Sequence, residues 1–230
     1  MANRFDKVIS LDEAMEHFHD GMTLMVGGFG GVGNPPTLIR GILDKGVREL
    51  TLISNDTAFP QIGIGRLVTE RRVKKVIASH IGSNPNAGAQ MTAGELEVEF
   101  CPQGILAERV RAGGVGLGGI LSDIGLGTIA ETGKQKVIVD GKTYLLETPL
   151  TARVAIVRAK KADRFGNLVY DTSARNFNPL VAMAGDITIA EADEIVDMGE
   201  LDPEEIVTPG VFVNYIVQSE GVNWRWAWEK

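Results

Sequence analysis

The chain has 230 residues, with 30 acidic against 23 basic side chains and a formal net charge of −7. That balance argues against nucleic acid or an anionic membrane as a general partner, so an anionic ligand must be met by local dipoles and a few placed bases. A single cysteine, Cys101, excludes an internal disulfide framework and fits the reducing cytoplasm. The charged, amphipathic opening from Met1 to Asp20 does not resemble a signal peptide, and no apolar run reaches the length of a membrane span.

In chain order, Ser10 with Glu13 three residues on reads as a capping box opening a helix over 10–19. Thr23 to Val26 is a short apolar strand, and it ends in Gly27-Gly28-Phe29-Gly30-Gly31-Val32-Gly33 followed by Pro35 and Pro36. Prolines in a first helical turn cost little, because those N–H groups have no intrahelical partner, so the local pattern is strand, glycine loop, helix. The helix over Thr37 to Lys45 stops at Gly46, a natural left-handed terminator. Leu50 to Ser54 is the second strand, a weak helix follows around 61–69, and Val73 to Ser79 is the third strand. Glu95 to Phe100 alternates strictly, which predicts Leu96, Val98 and Phe100 inward and three glutamates on one solvated face.

Gln103-Gly104 turns into a helix over Ile105 to Ala112, ended by Gly113-Gly114. Asp140-Gly141 between Lys136–Asp140 and Lys142–Glu147 is the strongest hairpin signal in the chain. Later strands are expected at Arg153 to Ala159, Ile187 to Ala190 and Val211 to Val217. Neither a repeat nor a polar linker divides the chain, so one domain is expected over 1–220, with a tail over 221–230 that carries Asn223 to Trp228 and is free to dock on a neighbour. The fold class is α/β: a single open, mixed, mostly parallel sheet flanked by helices.

The glycine loop is the leading ligand candidate. Glycines let a ligand approach backbone N–H groups, and a helix N-terminus behind them favours an anion. Gly28-Phe29-Gly30-Gly31-Val32-Gly33 also satisfies the dinucleotide pattern, with Asp56 about 23 residues further on, so a nicotinamide-dependent oxidoreductase stands as an alternative. Pro35 and Pro36 argue against it by pushing the helix past the last glycine, as does the polar cluster Ser54-Asn55-Asp56-Thr57. No catalytic set is complete. His17 and His19 point to different helix faces, His80 follows a strand and lines a cleft at best, and Cys101 fits a small buried residue. No metal site is expected, and any missing nucleophile would come from another chain.

Taken together, Asp20-Gly21, Gly27-Gly28-Phe29 with Gly33 and Pro35, Ser54-Asn55-Asp56, Gly94 to Glu99, Pro102-Gln103-Gly104 with Leu106 to Arg109, Arg111 to Gly114, Gly125 to Thr128 and Ser173 to Asn178 resemble the α subunit of family I coenzyme A transferases. The blocks run in order over roughly residues 7–218. The resemblance implies a coenzyme A transferase-like fold. Its implied activity moves coenzyme A between an acyl-CoA and a short-chain or 3-oxo carboxylic acid, with the thioester as substrate and no cofactor. It also implies a β subunit whose Ser-Glu-Asn-Gly motif supplies a nucleophilic glutamate, in an α2β2 assembly; this chain has no such motif. Gly27, Gly28, Phe29, Gly30, Gly31, Val32 and Gly33 match the family's coenzyme A-binding loop, and Gln103 matches its oxyanion donor. Asn55 is expected to line the same cleft. A non-catalytic ligand-binding subunit is the remaining alternative.

Overall fold

A computed structural model describes residues 5–226 and 229. The first half lays strands beside one another in sequence order: β1 (Thr23–Val26), β2 (Leu50–Ile53), β3 (Val73–Ala78) and β4 (Glu97–Phe100) pair in parallel. Between them run α2 (Pro36–Lys45), α3 (Gly65–Thr69) and α4 (Pro85–Thr92), after a one-turn α1 (Leu11–Met15). Next come α5 (Gln103–Gly114) and β5 (Ile120–Ser122), then the hairpin of β6 (Lys136–Val139) and β7 (Lys142–Glu147). The second half adds β8 (Ala152–Asp163), β9 (Leu168–Val169), α6 (Asn178–Met183), β10 (Gly185–Val196) and β11 (Tyr215–Gln218). The main sheet runs β11-β10-β8-β1-β2-β3-β4, parallel throughout, and β9 pairs antiparallel with β8.

The alternation of the strands decides which helices cover which face. Leu24, Val26, Leu50 and Leu52 point to one side and pack with Leu38, Ile39 and Ile42 of α2, Leu67 and Val68 of α3 and Ala87 of α4. Met25, Ile53, Ala155 and Val157 point to the other, against Ile105, Leu106 and Val110 of α5 and Val181 of α6. Strands buried on both faces read as unbroken apolar runs, which is why the sequence displays them so openly.

The capping box holds: Ser10 Oγ accepts from Glu13 N at 3.2 Å and the Glu13 carboxylate accepts from Ser10 N at 2.8 Å. The helix behind it is shorter than expected, ending at Met15. Pro36 opens α2 and Gly46 closes it at φ 78°. Asp140 and Gly141 both have positive φ, 48° and 76°, as a two-residue hairpin turn requires. That hairpin does not join the main sheet; it forms a separate antiparallel sheet in the order β5-β7-β6.

Other expectations shift at the edges. The Glu95–Phe100 strand begins at Glu97, and Phe100, its last residue, is 54 % exposed rather than inward: the core that covers Leu96 and Val98 stops short of it, and it lines an open cavity. Gln103 is the first residue of α5, not part of a preceding turn, and Gly113-Gly114 are its last residues. Gly210–Phe212 is a 3-10 turn and Val211 is exposed, so of the strand expected over Val211 to Val217 only the part from Tyr215 forms, as β11. In the tail, the ring of Trp226 lies beside Gly31 and packs edge-on against Trp224; Ala227 and Trp228 fall outside the described residues. Among the described residues no helix is long and apolar enough to cross a membrane.

Candidate active site at the strand ends

Because β1 to β4 are parallel neighbours, the loops that leave their C-terminal ends lie side by side, where open α/β sheets place ligands. Each contributes one member of a hydrogen-bonded row. Gly28 follows β1, Asn55 follows β2, Ser79 follows β3 and Gln103 follows β4. Asn55 Nδ2 donates to the Gly28 carbonyl at 2.8 Å. Gln103 Nε2 donates to Asn55 Oδ1 at 2.5 Å. Ser79 Oγ lies 2.5 Å from Gln103 Oε1 and 2.8 Å from the Asn55 carbonyl. Asn55 is 4 % exposed, with both ends of its amide engaged inside the protein. Gln103 is exposed, and its amide nitrogen has two hydrogens, so one remains beyond the bond to Asn55. Its place at the N-terminus of α5, a helix of 12 residues, adds the positive end of the helix dipole.

The glycine loop is built differently. Phe29 and Val32 exchange both backbone hydrogen bonds at 2.9 Å, closing a tight hairpin. A Cβ on Gly27 would fall 1.9 Å from Asn178 Oδ1, on Gly28 2.2 Å from Asn34 Nδ2, on Gly31 2.2 Å from Ile62 Cγ2 and on Gly33 2.5 Å from the Ala174 carbonyl. The space beside these four glycines is therefore filled by the protein's own atoms. Gly30 is the exception: a Cβ there would meet nothing nearer than Phe59 Cε2 at 3.9 Å. Phe29 is 55 % exposed and Val32 half-buried, so the tip of the loop, Phe29-Gly30, is the part that faces outward.

The anion position at the start of α2 is also taken from within. One oxygen of Glu191, from the middle of β10, accepts from Thr37 N at 2.8 Å and Leu38 N at 3.0 Å, and the other accepts from Ser219 Oγ at 2.6 Å. Burial pushes the Glu191 carboxyl above the usual carboxylate range, against the opposing pull of these donors. Asp56, which the dinucleotide alternative would use as its ribose ligand, points inward too. It accepts from Gly30 N at 2.8 Å and Ala58 N at 2.6 Å and is 3 % exposed; burial again raises its carboxyl, while the two N–H groups and His80 draw it back. The acid and the helix dipole that a nicotinamide dinucleotide would use are both spent on internal contacts.

Beside Gln103, Ser79 and Pro102 line a cavity of about 850 Å³ between the β4 edge and the small sheet. Its walls include Phe100, the 91 %-exposed Ile129, and two ion pairs: Arg109 with Glu99 at 3.1 Å and Lys134 with the buried Glu147 at 2.6 Å. The glutamates of β4, and Glu95 just before it, are not simply solvated. Lys75 lies 2.9 Å from Glu97 and 3.0 Å from Glu99, and Arg71 pairs with Glu95. Burial alone would raise Glu99, but Lys75 and Arg109 together outweigh it and hold the carboxyl below its ordinary range. Cys101 is buried against Arg109, and burial pushes its thiol up, so it is no poised nucleophile. His80 Nε2 meets Ser83 Oγ at 3.1 Å, and His17 stacks on Tyr215. Among the described residues no group of three or more His, Cys, Asp or Glu is placed to hold a metal ion.

Fold and site together define an α/β protein that presents an exposed neutral amide donor at the ends of four parallel strands, beside a cavity lined in part by Ser79 and Pro102. The coenzyme A transferase family model matches residues 8–219, and the chain belongs to that family. Within it, the chain is an α subunit, and so part of an enzyme. It is 60 % identical over 226 residues to a Bacillus subtilis (strain 168) protein named as a probable coenzyme A transferase subunit alpha, covering 98 % of this chain and 99 % of that one. It is 55 % identical over 214 residues to the acetate CoA-transferase subunit alpha of Escherichia coli (strain K12), covering 93 % and 97 %. Among solved structures, the acyl-CoA transferase YdiF from Escherichia coli O157:H7 superposes with a TM-score of 0.83 at 26 % identity. That match covers 94 % of this chain but 48 % of YdiF, so this chain spans about half its length. The oxidoreductase alternative is not supported by these relatives, nor is a subunit outside an enzyme.

Sequence reasoning brought Gln103, Asn55 and Gly28 forward separately; the structure joins them. It missed Ser79, Asn34, Asn178 and Glu191. Asn34, between Gly33 and Pro35, donates to the Gly27 carbonyl and accepts from Ile64 N. Asn178 donates to the carbonyls of Gly33 and Ala174. Glu191 carried a legible signal, a lone carboxylate inside the apolar run Ile187 to Ala192. A buried charge has to find partners.

Proposed function

We propose that this chain forms one wall of the active site of a heteromeric coenzyme A transferase, with Gln103 donating to the oxyanion that develops on the thioester carbonyl. A β subunit supplies the nucleophilic glutamate, in an α2β2 assembly working in the cytoplasm. The glutamate carboxylate adds to the acyl-CoA carbonyl, the C–S bond breaks, and the coenzyme A thiolate leaves behind an acyl-glutamyl anhydride. The thiolate then adds to the glutamyl carbonyl and expels the first carboxylic acid, and the resulting glutamyl thioester passes coenzyme A to the second acid by the same two steps in reverse. Such a relay is nucleophilic catalysis with ping-pong kinetics. Coenzyme A enters and leaves as substrate, and the reaction calls for no resident cofactor or metal. The acyl groups are short-chain or 3-oxo carboxylic acids.

The observation that carries this reading is the Gln103 amide, exposed at the cleft yet fixed by Asn55 and Ser79. A side-chain amide held in place before the charge appears stabilises the tetrahedral oxygen by about 2.7–4 kcal/mol. Asn55 supports the site from within, and the tip Phe29-Gly30 is the part of the glycine loop open to a ligand.

Gln103→Ala tests the reading in a co-expressed, assembled complex. A donor used only in the transition state raises kcat without affecting ground-state binding. The expected result is a fall in kcat of roughly 10²–10³-fold with KM little changed, and Gln103→Glu is at least as damaging because it sets a like charge against the oxyanion. The chain alone should turn over no acyl-CoA. Near-normal kcat for Gln103→Ala in the assembled complex would remove Gln103 from the chemistry.

A further inference from the structure

An amide side chain can stabilise an oxyanion only if its nitrogen, not its oxygen, faces the substrate, and the two ends of a glutamine are nearly alike in shape. Something must therefore choose the orientation of Gln103. We infer that the choice is made by a relay that starts at the backbone carbonyl of Gly28 and runs through Asn55, with Ser79 clamping the far end; Asn55 and Ser79 are positioning residues for Gln103. This rests on the reading of Gln103 as oxyanion donor.

The Gly28 carbonyl can accept and never donate. The amide end of Asn55 that lies 2.8 Å from it is therefore the NH₂, which turns Asn55 Oδ1 toward Gln103. That oxygen also only accepts, so the end of Gln103 lying 2.5 Å away must be its nitrogen. Gln103 Oε1 then has to point to Ser79, whose hydroxyl lies 2.5 Å from it and donates. Flipping Gln103 alone would set two carbonyl oxygens against each other at Asn55. Flipping both amides would move that clash to Gly28. An acceptor pair of this kind loses a hydrogen bond and adds repulsion, and burial at Asn55 limits the water that could relieve it.

Ser79 is the gentler end of the relay. Its single hydroxyl hydrogen is shared between two carbonyl acceptors, Gln103 Oε1 and the Asn55 carbonyl, while its backbone N–H donates to that same Asn55 carbonyl at 3.0 Å. Removing the hydroxyl leaves β2 and β3 tied by that backbone bond and frees the oxygen end of Gln103. The four residues come from the ends of four adjacent strands, so the sheet itself sets their spacing.

The test is a double-mutant cycle in the assembled, co-expressed complex. Ser79→Ala should lower kcat roughly 3–10-fold, the rate equivalent of one neutral hydrogen bond, with KM unchanged, and Ser79→Thr should restore the rate. In a Gln103→Ala background, Ser79→Ala and Asn55→Ala should each cause no further loss of kcat, because residues that act only through Gln103 have nothing left to position. Size-exclusion and thermal melts identify any variant that fails to assemble; if Asn55→Ala does, the Ser79 cycle alone decides. A Ser79→Ala effect that is absent, or that is equally large with Gln103 already replaced, overturns the relay. A Gln103→Ala complex with near-normal kcat overturns the oxyanion reading beneath it, so the two failures are distinct.

Discussion

The glycine loop and the Gln103 end of the strand row sit on the same edge of the same sheet, but they use polar groups in opposite ways. At the loop, Asn34, Asn178, Asp56 and Glu191 are buried and spend their polar atoms inside the protein, mostly on its own backbone. At the other end, Gln103 is exposed and keeps a donor in reserve. A glycine-rich sequence between a strand and a helix looks like the binding element, and most of its glycines answer to packing. The exposed side chain at that end is uncharged and lies outside any glycine-rich stretch. Glycine content reports how closely something approaches the backbone; it does not say whether that something is a ligand or the protein itself.

The sharpest way to break this contrast is to compare two glycines two residues apart. Gly28→Val should yield no soluble protein. Its Cβ would overlap Asn34 Nδ2 at 2.2 Å with φ at 110°, so overpacking of about 1–3 kcal/mol or more adds to backbone strain of roughly 1–2 kcal/mol. Gly30→Ala, at φ 58° with open space beside it, should fold normally at a cost of about 1 kcal/mol while raising KM for acyl-CoA. Expression yield, melting temperature and KM separate the two. Equal loss of solubility in both would mean that the whole loop is structural and its tip faces nothing.

How much of this was readable from the chain depends on how far apart the partners lie. The capping box at Ser10, the Pro36 start and Gly46 stop of α2, and the Asp140-Gly141 hairpin all rest on contacts within a few residues, and all appear where the local signals place them. β1 and β2 were legible because burial makes them nearly continuous apolar runs, and β4 through the alternation of Glu and apolar residues. The inward reading of Phe100 failed because alternation gives a face but not how far along the strand the covering core extends; Leu96 and Val98 are packed, and Phe100 at the strand end is not. The anion expected at α2 is present, but it is Glu191, 154 residues away from Thr37 in the chain. Gln103 was visible as a candidate only through resemblance to a family, since alone it reads as a turn residue. Its partners Asn55 and Ser79 come together only once three strands are in register.

Glu191 offers the next test of the self-contained end. Glu191→Ala strands two backbone N–H groups of α2 and the Ser219 hydroxyl, with an expected loss of about 3–5 kcal/mol. Glu191→Gln keeps an acceptor for both N–H groups and should cost less than about 1.5 kcal/mol. The pH dependence checks the mechanism. Burial raises the folded-state pKa of Glu191 above its unfolded value, so its contribution to stability is greatest below the unfolded value and is lost as pH rises through the raised one. Melting temperatures of the Gln variant should therefore drop less than those of the native chain as pH rises above the ordinary carboxylate range. Identical profiles would mean that Glu191 does not change charge in that window.

Glu99 should behave with the opposite sign and a smaller size. It stands on β4 shortly before Gln103, half in solvent, with Lys75 and Arg109 holding its carboxyl below the ordinary range. A depressed folded-state pKa gives stability that is present above the unfolded value near 4.5 and lost as pH falls through the folded one. Solvent screening keeps the effect modest, so Glu99→Gln should destabilise the protein at neutral pH by about 1 kcal/mol or less. The difference from the native chain should shrink as pH falls below the ordinary carboxylate range, and it should shrink at neutral pH when salt is added, since exposed pairs are screened. Arg109 also donates to the Thr148 carbonyl and lies against Cys101, so it stays fixed when Glu99 is neutralised, and kcat in the assembled complex should hold. A variant whose stability deficit persists unchanged at low pH and high salt would show that Glu99 acts through packing rather than charge, and a fall in kcat would extend the active wall from Gln103 down into β4.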